Sequence, residues 1–378
     1  MLKSSNASKS LAPSNAFKKR IRGAVYNPRM ASPASNNATP LRIINAVAPT
    51  RICDTGGWTD TWFAGHGRIF NIGVYPYIEV QIEVFSRDAQ AECIEVFAEN
   101  YGERFTATPG EGWRTHPLIE AAIERMGVPD DISLKVTIFS EMPGGASTGT
   151  SASVAVALIG ALDRLTPGRL STHEIAFEAH AVETEMLKRQ SGIQDQLCAA
   201  YGGINFIDMH AYPRATVSQV RVPDTTWWEL ERRLALIFLG KTHDSSEVHL
   251  KVIRELEDAG PDNARIRALR HCAERSRDAM FDGDFIALGC AMRENTAAQA
   301  DLNAALVSTD AHRVIEIARA HGALGWKVNG AGGEGGSITL LCGDLSYGKR
   351  EMLRAIEADL PHCRAIPIYL SRFGLRVW

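Results

Sequence analysis

Residues 143–162 read PGGASTGTSASVAVALIGAL, with three glycines and a run of small hydroxyl residues in the first eleven positions. An alternating apolar stretch, ISLKVTIF at 132–139, precedes it and predicts a strand. Strand, glycine-rich turn and helix form the geometry in which backbone N–H groups and a helix N-terminus converge on an anion such as a phosphate. The string is neither a dinucleotide fingerprint nor a Walker loop, since no Gly-Lys-Ser/Thr closes it. A flexible turn capped by Ser and Thr ahead of a core helix accounts for the same residues equally well. Asp195 poses a similar choice. It follows the turn Ser191-Gly192-Ile193-Gln194 and leads into an apolar stretch ending at Ile207, so its carboxylate needs a chemical task or a partner. Locally the commoner role is helix N-capping. The segment from Arg51 through Gly56, Gly57 and Asp60 is a candidate substrate-binding edge, or else a β-turn whose aspartate satisfies nearby backbone donors.

The elements that must position these residues follow from periodicity. Strands are expected at 41–47, at 69–85 as one strand or a pair, and at 91–98, with a helix over 116–126 ended by Gly127 and Pro129. Ser171 and Glu174 form a capping box opening a helix that carries His180, Glu183 and Glu185 to about Lys188. Beyond residue 226, strands are expected at 234–239, 339–342 and 366–369, and helices at 245–256, 264–280, 285–297 and 310–321. His243, His271 and His312 are read as surface or core histidines rather than ligands.

The 378 residues suffice for two domains, and 45% hydrophobic content supports full-sized cores. A net charge of −3 and 22% charged residues point away from nucleic acid as a partner. The average hides an asymmetry: residues 1–40 hold seven Lys/Arg and no acid, while the remainder carries 34 basic and 44 acidic residues. That leader, rich in Ser, Ala, Asn and Pro, is expected to be a disordered basic tail; it lacks the apolar core of a secretory signal. Seven scattered cysteines without a CxxC pair argue for a reducing, cytoplasmic setting, and no apolar run reaches membrane-spanning length. No HExxH or Cys/His cluster supports a transition-metal site.

Three separated stretches together resemble the GHMP small-molecule kinases: APTRICDTGGWTD at 48–60, PGGASTGTSAS at 143–153 and KVNGAGGEGG at 327–336. The segment SGIQDQLCAAYGGINFID at 191–208 resembles the branch holding D-glycero-D-manno-heptose 7-phosphate kinase and L-fucokinase, and the likeness spans about residues 42–375. It implies an α+β fold of two domains, an N-terminal ribosomal-protein-S5-like domain at 41–226 and a C-terminal ferredoxin-like sandwich at 227–378, whose last strands return to the first domain.

The same resemblance implies an ATP-dependent kinase that transfers the γ-phosphoryl group to a hydroxyl, expected to be the anomeric one, of a heptose 7-phosphate or fucose-like sugar. ATP phosphates would lie against Pro143, Gly144, Gly145, Ala146, Ser147, Thr148, Gly149, Thr150 and Ser151, braced by Gly330, Gly332 and Gly333. Mg²⁺ would take Glu183, twelve residues before Asp195, with a hydroxyl of Thr150 or Ser151. Asp195 resembles the catalytic base and Arg51 the cation beside it, while Asp60, Gly57 and Asp195 would meet the sugar. A homodimer is compatible with these features. Departures from the pattern are Glu334 in place of a glycine, Thr61-Trp62-Phe63 in place of paired prolines, and Arg68 in place of a glycine. A non-catalytic ATP- and sugar-binding sensor of the same fold is the competing class.

Overall fold

A computed structural model describes residues 39–87, 94–166, 169–240, 246–258 and 260–378, with backbone only at 246–249. The basic leader up to residue 38, residues 91–93 of the third expected strand, and Lys241, Thr242, His243 and Ser245 lie outside the described residues.

In chain order, β1 (Arg42–Thr55), β2 (Gly67–Ser86), β3 (Ile94–Ala98) and β4 (Glu103–Thr106) precede helix α1 (Pro117–Met126) and β5 (Ile132–Ser140). Helices α2 (Thr150–Leu162), α3 (Thr172–Ala181) and α4 (Gln194–Tyr201) lead into β6 (Ile204–Ala211) and β7 (Arg214–Gln219). Then come α5 (Asp224–Arg233), β8 (Leu234–Phe238), α6 (Ser246–Leu256), α7 (Ala264–Asp282), α8 (Phe285–Leu302) and α9 (Thr309–Ala320). The chain closes with β9 (Gly325–Val328), β10 (Ser337–Leu341), α10 (Ser346–Asp359), β11 (Arg364–Ile366), β12 (Tyr369–Leu370) and β13 (Arg376–Val377).

The architecture is α+β, with two sheets. Nine strands form the first, in the order β13-β1-β2-β5-β3-β4, with β12 and β6 also on β2 and β7 on β6. Among the described residues only β3 and β5 run parallel in it. Its alternating strands supply Ile44, Val80, Ile82 and Val136 to a core closed by α1 to α4. Helix α2 is apolar around most of its circumference because strands and neighbouring helices cover it, and Ala155 to Leu162 are buried. The second sheet is antiparallel, β11-β8-β10-β9, and packs on α9 and α10 through Ile237, Val314, Ile338 and Ile356. A further apolar cluster, with Ile52, Phe70, Leu236, Met280 and Leu288, joins strands of both sheets to α7 and α8.

Several sequence expectations change. The first strand does not stop at Val47: it pairs with β2 as far as Thr55, so Arg51 stands on a strand rather than in a turn. Residues 69–85 lie in one continuous 20-residue strand. The helix expected to reach Lys188 passes at Val182–Met186 into a π-turn. The strand expected at 366–369 is split between the two sheets, because Pro367 has no N–H to continue a ladder. Residue 227 falls inside α5, and β12 and β13 pair with β2 and β1. The capping box on α3 forms as expected.

Candidate active site

The C-terminal half of β1 brings Arg51 to the edge of a cavity of about 360 Å³. Its other walls are the turn with Trp58, Asp60 and Thr61, residues 145–152, Glu183 on the π-turn, residues 190–192, the first turn of α4, and Gly330-Ala331 between β9 and β10.

The glycine-rich loop is anchored through its carbonyls. Ala146 O accepts from Ser337 Oγ at 2.5 Å, Thr148 O from the Arg51 N–H at 2.9 Å, and Gly149 O from the Ser153 N–H at 3.0 Å. The Ser147 carbonyl accepts from the Arg51 guanidinium. The carbonyls of residues 146–149 are thus engaged, and the loop runs into the N-terminus of the 13-residue α2. The Thr148 and Thr150 hydroxyls lie 3.3 Å apart.

Arg51 grips Asp195 in a fork, Nε to Oδ1 at 2.8 Å and Nη2 to Oδ2 at 3.2 Å. Burial pulls the guanidinium pKa down, but Asp195 and Asp54 more than offset this and hold it above its ordinary value. Asp195 is not the N-cap of α4. Ile193 takes that position, and the aspartate, one residue into the helix, turns to Arg51. Asp60 does not serve its own turn either. Its Oδ2 accepts from the Gln194 N–H at 3.0 Å and so caps α4 from across the cavity. A Cβ at residue 192 would sit 2.0 Å from Asp60 Oδ2, so a larger residue there would have to displace that carboxylate. Burial pushes the Asp60 pKa up to about 6.

Glu183 is buried, and burial pushes its pKa up to about 7. Among the described residues its Oε1 has no hydrogen-bond partner. A buried carboxylate oxygen left unpartnered is costly unless a ligand completes it. Glu185 instead faces outward to Arg125 at 3.4 Å, 66% exposed. Among the described residues no three His, Cys, Asp or Glu side chains are grouped to hold a metal. The cavity lining offers the Glu183 carboxylate and the Thr150 and Ser151 hydroxyls, oxygen donors of the kind that suit Mg²⁺, an ion that keeps water and phosphate ligands.

Other expected site residues lie elsewhere. Pro143 and Gly144 are outside the cavity lining. Gly57 lies behind the turn, where a Cβ would meet Asp54 Oδ2 at 3.1 Å. Gly332 packs on the Leu306 carbonyl, and the Gly333 N–H donates to that same oxygen at 2.9 Å. Only Gly330 of that trio lines the cavity. Glu334 is exposed, away from the cavity, and Arg68 pairs with Glu274. Sequence reasoning missed Asp54 and Lys327, both inside the quoted motifs, because isolated charged letters gave no sign that they would be buried together.

The N-terminal domain model of the GHMP kinases matches residues 117–203. The chain is 32% identical over 265 residues to a mevalonate kinase of Thermococcus onnurineus, covering 67% of this chain and 74% of that protein. It belongs to the GHMP kinases. Within that family it is 27% identical over 204 residues to a D-glycero-alpha-D-manno-heptose 7-phosphate kinase of Campylobacter jejuni, covering 54% of this chain and 60% of the relative. The solved D-glycero-D-manno-heptose 1-phosphate kinase from Bacteriodes thetaiotaomicron shares the fold, with a TM-score of 0.68, 19% identity, and coverage of 89% and 98% of the two chains. No helix among the described residues is long and apolar enough to cross a membrane.

Proposed function

We propose that the protein is an ATP-dependent kinase that phosphorylates a hydroxyl, the anomeric one, of a heptose 7-phosphate or fucose-like sugar. The observation that carries this reading is the Arg51–Asp195 fork, set between the anchored glycine-rich loop and the wall formed by Asp60 and Gly192. Residues 145–151 hold the ATP phosphates with amides and hydroxyls, and the positive end of α2 adds to the attraction. Glu183 with Thr150 or Ser151 would hold Mg²⁺, which supplies charge neutralisation on the phosphates when bound. Asp60, on the cavity lining, accepts hydrogen bonds from sugar hydroxyls.

Asp195 accepts the proton of the acceptor hydroxyl as that oxygen attacks the γ-phosphorus. The bond from phosphorus to the β,γ-bridging oxygen breaks, and ADP leaves with its electron pair. Arg51 orients the carboxylate. The division into domains at 41–226 and 227–378 belongs to this proposal, with the cavity lined from both parts.

Heptose relatives support the sugar side, and the mevalonate kinase match defines the alternative acceptor to test. The protein is incubated with Mg·ATP and, separately, heptose 7-phosphate, fucose, galactose and mevalonate. Products are identified by ³¹P NMR. A sugar 1-phosphate formed with ADP in equal amounts is expected. Mevalonate as the sole acceptor, or ADP release without a phosphorylated product, would overturn the reading.

A further inference from the structure

Behind the Arg51–Asp195 fork lies a second ion pair that the family reading does not use. Lys327, on β9 of the second sheet, points its Nζ at Asp54 Oδ1, 3.3 Å away on β1 of the first sheet. Their side chains are 1% and 0% exposed. Lys327 Nζ also donates to Gln299 Oε1 at 3.1 Å and to the Val328 carbonyl. On its other side Asp54 Oδ2 lies 3.9 Å from Arg51 Nη2 and accepts the Gly330 N–H at 2.9 Å. The Gly330 carbonyl in turn accepts from Gln299 Nε2 at 3.1 Å.

The result is a row of alternating charges, Lys327, Asp54, Arg51 and Asp195, in which only the last reaches the solvent to a notable extent, at 26%. A buried ion pair is poor evidence of stabilisation by itself, since a well-packed apolar pair often does as well. This pair has a geometric consequence. Asp54 is shared between the cation that grips Asp195 and the amide of the third glycine motif, so its charge balance affects both.

We propose that Asp54 and Lys327 are positioning residues for phosphoryl transfer: together they set how firmly Arg51 holds Asp195 and where Gly330 sits at the cavity wall. The inference rests on the kinase reading above. With Lys327 present, the Asp54 charge is largely met from behind, and the guanidinium turns its fork to Asp195. Removing the ammonium alone leaves Asp54 facing Arg51, which draws the guanidinium back from Asp195. Removing the Asp54 charge alone sets two buried cations against each other and pushes Arg51 out of place. Either change disturbs the same fork, and removing both charges at once relieves the imbalance.

The test is a double-mutant cycle with Lys327→Met, Asp54→Asn and the combined variant, measured as kcat, both KM values and melting temperature on the full chain. Each single variant is expected to lose roughly 10- to 100-fold in kcat, the scale of a small misplacement of reacting groups, with little change in either KM. The combined variant is expected to regain much of that loss while staying below wild type. A purely structural pair would lower the melting temperature and leave kcat per folded molecule unchanged, which would overturn the proposal, as would losses that simply add. Should the single variants fail to fold, the combined variant still decides, since it buries no lone charge: a wild-type kcat there refutes the positioning role. A wild-type protein that phosphorylates no acceptor would instead defeat the kinase reading, a separate outcome.

Discussion

Gly149 is where the loop touches the proposed base, and Gly149→Ala tests that contact. The residue caps α2 in the left-handed region at φ 71°, ψ 25°. An L-residue there costs ~1–2 kcal/mol of stability. The added methyl carbon would also lie 3.0 Å from both Cγ and Oδ2 of Asp195. Carbon atoms rest comfortably at ~3.5–4.0 Å, so the carboxylate must withdraw by ~0.5–1 Å. That displacement acts on the 2.8 and 3.2 Å contacts of the Arg51 fork. The expected outcome is a fall in kcat of ~10²-fold, with ATP binding largely retained. Gly283→Ala is the control. Gly283 has the same backbone conformation, φ 66°, ψ 22°, and a Cβ there meets nothing nearer than Thr226 Oγ1 at 3.7 Å. Both variants should lose similar stability in urea titrations, and only Gly149→Ala should lose turnover in steady-state assays. Equal kcat in the two variants would refute the argument that Gly149 keeps Asp195 in register.

Asp195→Asn should bind ATP nearly as wild type does and turn over ~10²-fold more slowly, measured by calorimetry and by product formation. An Asn variant of full activity would remove Asp195 from the mechanism. Glu183→Gln should raise the Mg²⁺ concentration for half-maximal rate, because the ion loses its carboxylate ligand. Glu185→Gln should leave that titration unchanged, its carboxylate being engaged with Arg125 on the outside. Burial keeps Asp60 protonated up to about pH 6, and the ionised form accepts more strongly from sugar hydroxyls. Acceptor KM should therefore fall as pH rises through about 6. In Asp60→Asn the acceptor KM should lie higher above that pH by ~1.5–3 kcal/mol in binding terms, and its pH dependence should flatten. A pH profile identical to wild type would separate Asp60 from the acceptor.

The local signals in this chain were enough to mark most elements and to single out candidate site residues. Apolar alternation at 132–139, the small residues that follow Pro143, and the Ser171–Glu174 box act within a few residues of themselves, so their structure can be read without the rest of the chain. Motif order carried the family assignment. What those signals could not decide was which way each carboxylate would turn. Local propensity made Asp195 an N-cap and Asp60 a turn residue. Instead Arg51, 144 residues from Asp195, draws it away, and Asp60 caps a helix 134 residues further on. The break of the α3 helix at Glu183 and the extension of β1 through Arg51 likewise depend on contacts made only when sheet and helices close. The burial of Asp54 against Lys327, 273 residues apart, is the clearest case. Letters in a sequence carry charge, but desolvation and Coulomb energy depend on distance and surroundings, and those exist only in the folded chain.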